Sequence, residues 1–129
     1  MALSPSPPST PRRYPGFDMN ALNVAGRTIA LDKEGYLEHL SDWNESVAEA
    51  LAQRDNIVLT PAHWEILLLL RQFHQRFEHS PPMRILVKSV KQELGEAKGN
   101  SIYLLQLFPG SPAKLAARIA GLPRPTHCL

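Results

Sequence analysis

Apolar residues recur along this 129-residue chain at two periods, and the change from one to the other marks its organisation. Between Leu22 and Asp32, Ile29 and Leu31 alternate with polar neighbours after Ala25-Gly26, which predicts a small hairpin turning near that pair. Two strands alone are marginal, so the hairpin must lean on helices. Asp32-Lys33-Glu34-Gly35 reads as a second turn. Beyond it the period becomes helical. Ser41 or Asp42 is placed to cap a first helix, and Asp42-Trp43-Asn44-Glu45 matches a capping box. Trp43, Val47, Ala50 and Leu51 then share a face. Thr60-Pro61 starts a second helix, an N-cap followed by proline at the first helical position. It extends to about His79 with Trp64, Leu67, Leu68, Phe73 and Phe77 apolar. Its middle turn is apolar nearly all round, which predicts the central, buried helix. After Pro81-Pro82, Met83–Leu94 forms a third helix with Ile85, Leu86, Val90 and Leu94 inward. Gly95 and Gly99 break the chain, Asn100 caps a short helix through Phe108, and Pro109-Gly110 stops it. Ser111-Pro112 repeats the cap-plus-proline start, and the last helix carries Leu115, Ala116, Ile119 and Ala120 to Gly121. The fold class is mainly α, about five helices with one small N-terminal hairpin.

Two segments fall outside this pattern. Residues 1–19 form a proline-rich leader that offers little apolar surface, and it is expected to be disordered. The compact domain spans 20–121. Residues 122–129 form a C-terminal arm that Pro123 and Pro125 keep from continuing the helix. The arm ends in His127-Cys128-Leu129, and Cys128 is the only cysteine. A lone thiol rules out an internal disulfide framework. Hydrophobic residues make up 43% and charged residues 20%, an ordinary soluble balance. The apolar run Ile66–Leu70 is far short of the roughly 20 residues of a membrane span. The leader lacks the apolar centre of a secretory signal. Together these features predict a cytoplasmic protein.

The net charge of +2 conceals an asymmetry. Residues 18–79 carry five Lys/Arg against ten Asp/Glu, whereas 80–129 carry seven against two. The basic half is the half with the thiol. Positive neighbours favour a thiolate, so Arg118, Arg124 and Arg84 are the candidate residues to stabilise an anionic sulfur at Cys128. The same bias suits an alternative, a non-catalytic module that binds nucleic acid or an acidic protein. DNA reading is disfavoured. In the helix pair Met83–Leu94 and Asn100–Phe108, the second helix offers little beyond Gln106 to a base edge. His39, His63, His74, His79 and His127 show no zinc-ligand spacing, and Gly95-Glu96-Ala97-Lys98-Gly99 lacks the Walker pattern. No metal or cofactor is expected.

Several stretches carry a more specific signal. They are Gly35-Tyr36-Leu37, Asp42-Trp43-Asn44-Glu45, Leu59-Thr60-Pro61-Ala62-His63-Trp64, Pro82-Met83-Arg84 and Leu107-Phe108-Pro109-Gly110-Ser111-Pro112. The last is Ile119-Ala120-Gly121-Leu122-Pro123-Arg124-Pro125-Thr126-His127-Cys128. In these the chain resembles the DsrC/TusE family of sulfur-carrier proteins over residues 20 to 129. The resemblance implies an orthogonal bundle of helices with a small hairpin and a mobile C-terminal arm. It implies a sulfurtransferase that holds sulfur as a persulfide on Cys128. The sulfur would come from a TusBCD-like donor complex and go to an MnmA-like tRNA thiolase that makes 2-thiouridine. In the DsrC branch a second cysteine stands eleven positions earlier, and Ala117 occupies that position here. The two-cysteine chemistry is therefore closed to this chain, which places it on the TusE-like side. A DsrC-like paralogue serving sulfur oxidation or regulation is the alternative within the family.

Overall fold

The computed structural model describes residues 21–125. The leader 1–19 and the thiol of Cys128 lie outside them.

Strands β1 (Ala21–Val24) and β2 (Arg27–Ala30) pair antiparallel, with Ala21 opposite Ala30 and Val24 opposite Arg27. Ala25 and Gly26 both take positive φ, 52° and 81°. That is the two-residue turn whose twist suits a hairpin. Leu22, Val24 and Ile29 are buried, so one face of the ribbon enters the core as the alternation predicts. The turn after β2 is tied by Asp32, whose Oδ1 accepts from the amides of Glu34 at 2.8 Å and Tyr36 at 3.0 Å. This side-chain mimic of a backbone turn fixes Glu34 at the tip of a short loop.

Five α-helices follow: α1 (Glu45–Arg54), α2 (Pro61–Phe77), α3 (Met83–Leu94), α4 (Ser101–Leu107) and α5 (Pro112–Ile119). The expected starts of α2 and α4 hold, and α5 begins at Pro112 as expected, but Ser111 makes no side-chain capping bond. Thr60 and Asn100 accept hydrogen bonds from the third helical amide, and α2 and α5 each carry Pro in the first turn. The start of α1 differs from expectation. Its cap is Asn44, which accepts from the amide of Val47 at 2.9 Å, rather than Ser41 or Asp42. Those two residues lie in a single 3₁₀ turn, and Trp43 is extended. The reason is tertiary: the Trp43 indole N–H donates to the carbonyl of Ile119, 76 residues away, at 3.0 Å. A Trp43 inside the helix would point elsewhere.

The centre also differs from expectation. Helix α2 buries Ile66, Leu67, Leu69 and Leu70, but Leu68 stays 51% exposed, so it is amphipathic rather than enclosed. The central helix is α5, which packs against α1, α2, α3 and α4. Every α5 residue except Lys114 and Arg118 is buried. The alanines Ala113, Ala116 and Ala117 let neighbouring backbones approach closely. Eight residues carry too short a pattern to outrank a seventeen-residue apolar helix by sequence.

Candidate functional site at the root of the C-terminal arm

The arm leaves the body from the end of α5, and that end is fixed in several ways. The amide of Leu122 donates to the carbonyl of Ala117 at 2.9 Å, and that of Gly121 to Arg118 at 3.1 Å. This is the Schellman arrangement, with Gly121 at the left-handed position, φ 73°. Leu122 is only 3% exposed, the apolar contact that accompanies the motif. The boundary expected at 121 therefore moves past Leu122, which belongs to the core.

Two carbonyls at the end of α5 receive side chains from other elements. Trp43 serves Ile119, and Arg71 on α2 donates to Ala120 at 2.6 Å. The Arg71 guanidinium lies 3.9 Å from the centre of the Trp43 ring, and Trp64 meets Trp43 edge-on at 6.5 Å. A cation here answers the negative end of the α5 dipole. Burial pulls the Arg71 pKa below the ordinary guanidinium range. A Cβ added at Gly121 would come within 2.2 Å of Trp43 Cδ1, so only glycine fits under the indole.

Past Leu122 the chain touches the body again. Ser80, buried between α2 and α3, donates from Oγ to the carbonyl of Pro123 at 2.6 Å. Arg124 pairs through Nη1 with both carboxylate oxygens of Glu34. Pro125 is buried. Arg118 sits beside this pair. It donates to the Glu34 carbonyl at 3.0 Å, meets Asp55 at 3.4 Å and lies 5.7 Å from the Tyr36 ring centre. With Ser111, Lys114 and Tyr36 it lines an open cavity of about 380 Å³.

Of the three arginines proposed around Cys128, two are thus gathered at Glu34. Both already face carboxylates, so neither is a lone cation awaiting an anion. Arg84 stands exposed on the first turn of α3, four residues after Ser80, and shares no partner with them. His63 has a structural task. Its Nε2 contacts the carbonyl of Leu107 at 2.9 Å and so carries the proton, which leaves Nδ1 to accept from the Thr60 amide at 3.1 Å. His79 joins Phe73 and Phe77 in an aromatic cluster. Among the described residues no group of three His, Cys, Asp or Glu is placed to hold a metal. None of their helices is long and apolar enough to cross a membrane.

Sequence reasoning missed Glu34, Trp43, Arg71 and Ser80 as parts of this site. Each acts on a residue at least 43 positions distant, and no local pattern signals that.

A helical body that braces the root of a basic arm defines the kind of protein this is. The chain belongs to the DsrC-like family, whose model matches residues 23–129. It is 50% identical over 108 residues to the sulfurtransferase TusE homolog of Haemophilus influenzae, covering 84% of this chain and 99% of that protein. Identity to sulfurtransferase TusE of Pectobacterium atrosepticum is also 50%, with the same coverage. Among solved structures, Allochromatium vinosum DsrC superposes with a TM-score of 0.78 at 46% identity, over 85% of this chain and 98% of that one. The oxidized gamma-subunit of the dissimilatory sulfite reductase (DsrC) from Archaeoglobus fulgidus gives 0.74 at 44% identity, over 84% and 99%.

Proposed function

We propose that this protein is a sulfurtransferase that carries sulfur as a persulfide on Cys128 within a cytoplasmic relay. The carrying observation is the half-identity to TusE proteins along nearly their whole length, joined to the single thiol at the chain's penultimate position. The chemistry is redox-neutral. The Cys128 thiolate attacks the terminal sulfur of a donor persulfide; a new S–S bond forms, the donor's S–S bond breaks, and the donor leaves as a thiolate. An acceptor thiolate then repeats the exchange on Cys128. Attack requires the thiolate, which nearby positive charge favours. Arg124 is closest to Cys128 in sequence, with Arg118 next and Arg84 third, and these are the proposed anion-stabilising residues.

The donor in this reading is a TusBCD-like complex and the acceptor an MnmA-like thiolase, with tRNA 2-thiouridine as the end product. Ala117 supports a one-thiol route. It is fully buried in α5 and provides no second sulfur, so each sulfur must arrive from one protein and leave to another. Incubation with a persulfide donor followed by mass spectrometry tests the chemistry. Cys128 should gain the mass of one sulfur, reversibly on reduction; no adduct on Cys128 would refute the carrier role. A Cys128→Ser chain should keep the fold and lose all transfer. A binding module acting through its basic half would keep its activity in that variant.

A further inference from the structure

Among the described residues, Arg27, Lys98, Arg118 and Arg124 each pair with a carboxylate, that of Asp42, Glu65, Asp55 and Glu34 in turn. Arg76 near the end of α2 and Arg84, Lys88 and Lys91 on α3 pair with none of the described carboxylates. The three on α3 recur at helical spacing and so follow one face of the helix. Like charges four residues apart cost a helix stability, and an anion set between them relieves that cost. Arg76 and Lys88 stand on opposite walls of an open groove of about 490 Å³ between α2 and α3. The groove shares no lining residue with the cavity at the arm's root.

We propose that the α2–α3 groove binds an unpaired stretch of RNA, with a base against Phe77 and the flanking phosphates on Arg76 and Lys88. Phe77 lines the groove and leaves 50% of its surface to solvent. Its ring is braced by Phe73, 4.6 Å away centre to centre, and by the exposed His79 at 6.4 Å. The Arg76 guanidinium lies 5.6 Å from the Phe77 ring centre. An aromatic platform with a cation beside it suits a single strand, because every base has a π-face and every phosphate a charge. Gln72 and Gln92 stand exposed on opposite walls, with Ser89 next to them. Their amide and hydroxyl groups both donate and accept, as the edges of an unpaired base require. Glu93, the carboxylate of the rim, can accept from the exocyclic amine of a base. From Leu69 to Phe77 the wall rises about 12 Å, room for roughly three stacked nucleotides. An acidic protein segment would meet the same cations, but the aromatic cluster favours the flat face of a base over a carboxylate-bearing side chain. Bases stacked inside a duplex cannot reach Phe77, so the ligand is a single strand.

No sulfur chemistry enters the test, so RNA binding stands or falls apart from the sulfur-carrier reading. Oligouridylate or oligoadenylate, titrated at low salt into the full chain, should move the amide resonances of 72–77 and 85–92 ahead of all others. R76Q and K88Q should each weaken binding, and each should lower the slope of log affinity against log salt by about 0.7. F77L keeps the bulk of the side chain and loses its flat face, and should weaken binding about tenfold. K33Q removes a cation from the turn after β2 and should bind as the parent does. The same oligonucleotides annealed into a duplex should bind more weakly. Shifts confined to other surfaces, equal affinity for the duplex, an F77L chain equal to the parent, or a K33Q loss equal to that of K88Q would each overturn RNA binding at this groove. A polyglutamate peptide that moves the groove resonances where RNA does not would overturn it too, and would mark a protein-docking surface instead. Should F77L lose its near-UV circular dichroism, the salt slopes of R76Q and K88Q, both at exposed positions, decide the question, and unchanged slopes would overturn it.

Discussion

Gly121 combines two demands that no other residue meets. Its φ of 73° is left-handed, and its missing side chain leaves room for the Trp43 ring. Gly121→Ala therefore meets backbone strain and a clash together, and should destabilise by roughly 2–3 kcal/mol. For a domain of this size that lowers Tm by on the order of 10 °C, measurable by thermal unfolding. Arg71 poses the complementary test. Arg71→Met keeps much of the stem that packs on Trp43 but removes both the bond to Ala120 and the charge at the end of α5. A loss of about 1–2 kcal/mol is expected in denaturant titration. The sequence showed Gly121 as a helix stop. It did not show that an indole lies against it, because that contact joins residues 78 positions apart. Cys128 was legible for the opposite reason: uniqueness and position near the chain end need no structure to be seen.

At the scale of elements, local chemistry predicted most starts and stops. Thr60-Pro61, Asn100 and Ser111-Pro112 act through hydrogen bonds or backbone geometry within three or four residues, and the helices begin where those signals stand. Helix α1 is the exception. Asp42 and Asn44 both offer a capping side chain, and the choice fell to Asn44 once Trp43 was drawn to Ile119. Asp42 instead faces Arg27 of β2 at 3.6 Å. The loop before α4 carries a pH-dependent tie. Lys98 donates to Glu65 at 2.8 Å, and that bond raises the Lys98 pKa above its ordinary 10.5. A raised folded-state value means the contribution is complete below 10.5 and is lost as pH climbs through the folded value. The stability difference between the parent and Lys98→Met should therefore shrink at strongly alkaline pH and stay flat across the neutral range. The effect is small because the pair is exposed to solvent.

For the molecule as a whole, the five helices and the hairpin were readable from period and punctuation alone, and the family from the closing motif and its companions along the chain. Their arrangement was not. Apolarity nominated α2 as the centre, yet α5 holds that place: it packs against α1, α2, α3 and α4, with Ala113, Ala116 and Ala117 buried beside Leu115 and Ile119. The same packing built the arm's root from Trp43, Arg71, Ser80 and Glu34, which come from four separate stretches of chain. The expected consequence at this scale is a separation of roles. Cys128→Ser should abolish sulfur uptake with Tm unchanged, whereas Gly121→Ala should lower Tm while the thiol remains reactive in the folded fraction. By itself the sequence determined the elements, the single thiol and the kinship, since each depends on neighbours along the chain or on residue identity. Which helix is central, where the body ends and the arm begins, and which side chains hold the arm were decided by the tertiary structure, because those contacts join residues that only folding brings within bonding distance.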